Sequence, residues 1–138
     1  DVGVSMFGLD ARYSVQKFSA RGQYVYTDIQ DSKAYNDLTG LDLGAALSGY
    51  YAELAYNVLP LFHRQKLDVF VRYENLNTHA KVSGIVKNDL YHRTEWTTGV
   101  SYHIAPGVVF KIDYQLKGTQ SKDADDTEQL NVGLGFWF

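Results

Sequence analysis

The chain has no cysteine, only 2 prolines in 138 residues, and no apolar run near the ~20 residues that cross a membrane as a helix. The first absence removes disulfides and thiol chemistry and leaves the compartment open. The second leaves little to interrupt extended segments. The third excludes helical spans but not strands, because a membrane strand shows lipid only every second residue and keeps average hydropathy low. A mean hydropathy of -0.28 is compatible with that reading and with a soluble β protein. An excess of positive charge is missing too. With 13 Lys and Arg against 16 Asp and Glu, the net charge is -3, so there is no basic surface for a nucleic acid. Asp1 opens no charged-then-apolar leader, so an exported form is expected to have lost its targeting peptide already.

What the chain does have is aromatic residues on an alternating pattern. Aromatics make up 14% of it, 11 of them Tyr, and such residues favour strands. Residues 1–138 are expected to form one all-β domain. Period-2 alternation marks seven strands, near 7–13, 18–27, 50–58, 67–74, 95–104, 108–117 and 129–138. The connections near 15–17, 59–66 and 105–107 are short, whereas those near 28–46, 75–92 and 118–127 are long and polar. Within the first long connection, 38–47 is apolar enough for a short helix or an inward fold. Up-and-down membrane barrels show this asymmetry, with short periplasmic turns and longer outer loops.

Aromatics on the apolar face are sorted by depth. Tyr13, Phe18, Tyr56, Tyr102, Phe110 and Phe138 fall near the short-turn ends, and Phe7, Tyr24, Tyr26, Tyr50, Tyr73, Trp96 and Tyr114 near the long-loop ends. Between them lie aliphatic and small residues such as Leu54, Val71, Val100 and Ile112. Amphipathic rings prefer the headgroup boundary, while aliphatics suffice against acyl chains. A β-sandwich core, the alternative fold, has no reason to sort rings by depth. The expected fold is therefore an antiparallel up-and-down transmembrane β-barrel. Seven strands cannot close one, because single-chain bacterial barrels have an even number and at least eight. The chain is expected to be the C-terminal portion of a larger barrel, or else an eight-strand barrel lacking one strand.

Three stretches, SGYYAELAYNVLP at 48–60, LDVFVRYENLNT at 67–78 and NVGLGFWF at 131–138, resemble the C-terminal region of the phosphate-selective porin O/P family. The resemblance implies a trimeric outer-membrane channel with an aqueous lumen, passing small hydrophilic solutes or ions by diffusion. It also implies that Leu134, Phe136 and Phe138 signal to the barrel-assembly machinery. The expected location is the bacterial outer membrane, and the expected partners are its lipid and the permeating solutes. A plugged barrel with a structural or adhesion role through its outer loops is the alternative.

The pore-lining candidates on the polar face are the cations Arg12, Arg21, Arg72, Lys111 and Lys117 and the carboxylates Glu53, Glu74, Glu95 and Asp113, with Asp10 and Asp68 on the same face. Their near balance departs from a pore that concentrates phosphate, which needs unpaired cations. Hairpin register sets Glu53 opposite Arg72, Glu95 opposite Lys117 and Ser101 opposite Lys111. Arg21, with Asp10 as its only nearby partner, is the expected free luminal cation.

No enzymatic chemistry, cofactor or metal is expected. His103 and Ser101 share a face, but the sequence places no carboxylate beside them, and the four histidines are scattered. The acidic run 123–126 lacks the ordered alternation and glycine of a calcium loop.

Overall fold

A computed structural model describes residues 2–121 and 124–138. Seven strands follow one another in a single antiparallel sheet, in the order in which they occur in the chain. They are β1 (Val4–Val15), β2 (Phe18–Ile29), β3 (Ala46–Asn57), β4 (Lys66–Lys81), β5 (His92–Ala105), β6 (Val108–Thr119) and β7 (Thr127–Phe136). A helix, α1 (Ser32–Thr39), lies between β2 and β3, and a single 3-10 turn at Asp89–Tyr91 precedes β5. The shortest strand has 10 residues, within the roughly 9–11 that a tilted membrane strand needs.

Register keeps the two faces apart from edge to edge. On the apolar face Tyr56, Val69, Val100, Ile112 and Val132 are successive partners from β3 to β7. Aromatics meet near both ends of the strands. Phe18 stands opposite Tyr56 and Tyr102 opposite Phe110, while toward the long loops Tyr24 faces Tyr50. There Tyr73 sits between Tyr50 and Trp96, with ring centroids 6.0 and 4.8 Å away. Thr98 is a polar residue within the aliphatic band of this face, and its hydroxyl donates to the Phe70 carbonyl at 3.2 Å. It therefore needs no water.

Two connections are two-residue hairpins. Gln16 and Lys17 join Val15 to Phe18, with Gln16 at φ 50. Pro106 and Gly107 join Ala105 to Val108, with Gly107 at φ 82, as a turn with Pro first and Gly second requires. The third, at 58–65, is longer and is pinned by buried Asn57, whose Oδ1 accepts from the backbone N–H groups of Leu59 and Leu67.

Three expectations need correction. The helix occupies Ser32–Thr39 rather than 38–47. Lys33 pairs with Asp37 one turn on, and Gly40 at φ 70 ends the helix with its N–H on the Asn36 carbonyl. Leu38 points into solvent at 88% exposure. Second, β4 continues through Asn75, Asn77 and Thr78 to Lys81. These residues interrupt the alternation, but pairing with β3 and β5 holds Asn75 and Asn77 in the sheet. Third, β7 stops at Phe136, opposite Val108 where β6 begins; the Trp137 N–H still donates to the Gly107 carbonyl of the turn, and Phe138 lies beyond the strand.

Burial is inverted relative to a water-soluble sheet. Among the described residues the only buried apolar side chains are Ala46 and Phe70, whereas nine polar or charged residues are buried, Thr97, Asp68 and Asp113 among them. On the opposite face Leu9, Val132 and Leu134 are each more than 60% exposed. Curvature explains the covered side. Arg12 of β1 and Lys111 of β6 line one cleft, although five strand spacings in a flat sheet would separate them by about 24 Å. The polar face is therefore concave and the apolar face convex. The sheet does not close on itself, and β1 and β7 each keep one unpaired edge.

Candidate functional site

All nine pore-lining candidates lie on the concave face. Two clefts run along it. The larger, about 740 Å³, opens toward the long loops and is lined by Tyr51, Glu74, Leu76, Glu95 and Lys117 among others. The smaller, about 390 Å³, lies toward the short turns and is lined by Arg12, Arg21, Glu53, Asp68, His103 and Lys111 among others. Between them Arg72 stacks on Tyr51, its guanidinium carbon 4.4 Å from the ring centroid.

The expected cross-strand register holds, with Glu53 opposite Arg72, Glu95 opposite Lys117 and Ser101 opposite Lys111. The ionic contacts mostly take another route. Asp10 with Arg12, Lys66 with Asp68, Arg72 with Glu74 and Lys111 with Asp113 all pair along one strand, two residues apart, at 2.9–3.3 Å. Residues i and i+2 share a face, so a long cationic side chain reaches a carboxylate without depending on the neighbouring strand. Lys117 instead donates to Gln129 at 2.7 Å, and Glu95 accepts from Thr97 at 3.1 Å. Asp113, 7% exposed, also accepts from Asn131 at 2.9 Å.

Arg21 is not free. Its Nε and Nη2 each lie 2.9 Å from a different carboxylate oxygen of Glu53, a two-pronged pair in which the Glu53 side chain is 12% exposed. Glu53 was expected beside Arg72. β2 and β3 place Arg21 and Glu53 directly opposite each other, and the planar guanidinium matches the carboxylate. Arg12, also opposite Arg21, is left with Asp10 at 3.3 Å.

The expectation of no carboxylate beside His103 is also corrected. Asp68 stands opposite Ser101, and its Oδ2 lies 3.7 Å from His103 Nε2. The same carboxylate holds Lys66 at 2.9 Å. Among the described residues no hydrogen bond joins Ser101 to His103, so the nucleophile-to-base link of a hydrolytic triad is not formed. No group of three or more His, Asp or Glu among them stands ready to hold a metal ion. Asp123, the first acid of the 123–126 run, lies outside the described residues.

Sequence reasoning left His79 in a loop, yet it is the most buried large side chain of the sheet's long-loop end, at 1% exposure. Its Nε2 is 2.8 Å from the Asp42 carbonyl, its Nδ1 accepts from the Asn88 N–H at 3.3 Å, and its ring packs 4.2 Å from that of Tyr91. One imidazole thus ties the α1-bearing loop to the loop before β5. A side chain on Gly44 would collide with the Thr78 carbonyl, so the loops fit only with glycine there. His79→Ala is expected to cost about 1–3 kcal/mol through two lost hydrogen bonds. Limited proteolysis checks it: cuts appear within 40–45 and 82–90 in the variant and not in the parent protein.

Leu134 and Phe136 project from the convex face of β7, 63% and 71% exposed. Neither of the two clefts includes them.

No family model and no solved structure matches the chain. Over 82 residues, 58% of the chain, it is 38% identical to a protein of Aquifex aeolicus (strain VF5) named only "Uncharacterized protein". That match covers 19% of the Aquifex protein, so the chain spans about a fifth of the length of the relative it matches.

Proposed function

We propose that this sheet is part of the wall of a bacterial outer-membrane β-barrel, a porin-like channel through which small hydrophilic solutes or ions diffuse passively. The inversion of burial carries the reading. A sheet that covers Glu53, Asp68 and Asp113 on its concave face and displays Val69, Val100, Ile112 and Val132 in one convex band suits a surround of hydrocarbon and an interior of water. Aromatic rows above and below that band suit the two headgroup boundaries. Thr98, bonded to a carbonyl, is a hydroxyl that hydrocarbon tolerates.

The concave face carries paired charges of both signs, which favours weak ion selectivity over a dedicated phosphate path, despite the porin O/P-like sequence. On this reading Leu134, Phe136 and Phe138 serve recognition by the barrel-assembly machinery, and trimers form through the convex face. The clasped outer loops favour a second reading, a plugged barrel with a structural or adhesion role. Conductance of the purified full-length protein in a planar bilayer separates the two. Defined current steps are expected of the channel, and a silent membrane contradicts it.

A further inference from the structure

The cleft toward the long loops is built from two neighbouring rows of the concave face. In one, Tyr51, Glu74, Glu95 and Lys117 are successive partners from β3 to β6. In the other, Val25, Gly49, Leu76 and Arg93 are successive partners from β2 to β5. Leu76 leans over Gly49, where a Cβ would come within 3.2 Å of its Cδ1, and it stays 46% exposed. With Val25 and Leu47 it gives the cleft an apolar floor.

Ion pairing stops at this cleft. Among the described residues, every other charged side chain on the concave face of the strands has an ionic partner. Arg93, Glu95 and Lys117 have none among them: Glu95 accepts from the neutral Thr97, Lys117 donates to the neutral Gln129, and Arg93 is exposed. Their placement would allow pairing. Arg93 and Glu95 have the two-residue spacing at which four other pairs close, and Lys117 stands directly opposite Glu95. Two cations and a carboxylate are thus presented to the lumen beside an apolar floor.

Resting on the channel reading, we propose that this cleft is a subsite for a zwitterionic solute with an apolar side chain, a free amino acid or a short peptide. Its carboxylate lies between Arg93 and Lys117, its ammonium against Glu95 with Glu74 directly opposite, and its side chain on Leu76, Val25 and Leu47. One strand spacing, about 5 Å, separates the acidic side from the basic one. Simpler ligands fit less well: an anion alone also meets Glu74 and Glu95, a cation alone also meets Arg93 and Lys117, and a neutral polyol gives none of the three unpaired charges a counter-charge. The volume of about 740 Å³ is that of a small-molecule site, for which roughly 300–1,000 Å³ is usual.

Single-channel current of the full-length protein in a planar bilayer tests this at low ionic strength, where screening is least. L-leucine is expected to interrupt the current steps in a concentration-dependent way. Isocaproate, which lacks the ammonium, isopentylamine, which lacks the carboxylate, and glycine, which lacks the side chain, should each need a concentration about tenfold higher. Glu95→Gln should weaken the leucine block about tenfold and leave the isocaproate block no weaker, and Arg93→Gln should do the same to leucine while sparing isopentylamine. A merely distorted pore would lose all of these blocks alike. Current steps that ignore L-leucine overturn the proposal, as does an equal block by either single-charge analogue or by glucose, and in each case the channel reading stands. A membrane without steps ends the channel reading, and the proposal with it.

Discussion

Replacing Val100 by arginine is expected to block assembly of the protein in the membrane. Val100 lies in the middle of the convex band, between Val69 and Ile112, and is 38% exposed. Were that face in water, an arginine at a partly exposed valine would change stability by no more than about 0.5 kcal/mol. Near the bilayer midplane the same change costs about 2–4 kcal/mol, a loss on the order of 30-fold or more in the folded-to-unfolded ratio. Gln115→Arg, on the concave face of the adjacent strand, is the control and should assemble normally. The heat-modifiable, folded fraction on cold denaturing gels reports both. Equal folding of Val100→Arg and the parent protein would place the convex face in water.

The second large effect is expected at Glu53. Arg12, Arg21, Glu53 and Arg72 are successive partners across β1 to β4, so a single carboxylate stands in a row of three guanidiniums. Its side chain is largely covered, and both of its oxygens are engaged by Arg21. Glu53→Gln releases Arg21 and leaves the row wholly cationic, which moves the reversal potential toward anion preference under a salt gradient. Arg21→Gln exposes the carboxylate instead and moves it the other way. Each change also removes a charge-assisted pair and is expected to cost about 1.5–3 kcal/mol. Unchanged potentials in both variants would mean that this row does not border the ion path.

The sheet was legible because its chemistry repeats every two residues. The seven strands, their order and the hairpin registers all follow from alternation anchored at tight turns such as Pro106–Gly107. Strand ends were less legible. Asn75 and Asn77 are poor strand formers, and they stay extended because Tyr50 and Ser48 on one side and Thr94 and His92 on the other hold them. A single segment carries no sign of such neighbours.

The ion pairs were misread for a related reason. Register alone puts Glu53 by Arg72 and Glu95 by Lys117, but it does not say which way a long side chain leans. The patterns Asp10-Ala-Arg12, Lys66-Leu-Asp68, Arg72-Tyr-Glu74 and Lys111-Ile-Asp113 were the available signal, with opposite charges two apart on one face. His79 gave no signal at all. Its three contacts come from Asp42, Asn88 and Tyr91, brought to it by two loops with no periodicity to read.

One measurement bears most directly on which face meets lipid. Single cysteines at Ile112 and Gln115, on opposite faces of β6, are nitroxide-labelled in the full-length protein reconstituted in bilayers. Their collisions with lipid-soluble oxygen and with a water-soluble nickel chelate are then compared. The account predicts that the label at 112 meets oxygen far more than nickel, and that the label at 115 shows the reverse. A label at 112 that is shielded from both, or one that meets nickel as freely as the label at 115, would contradict it.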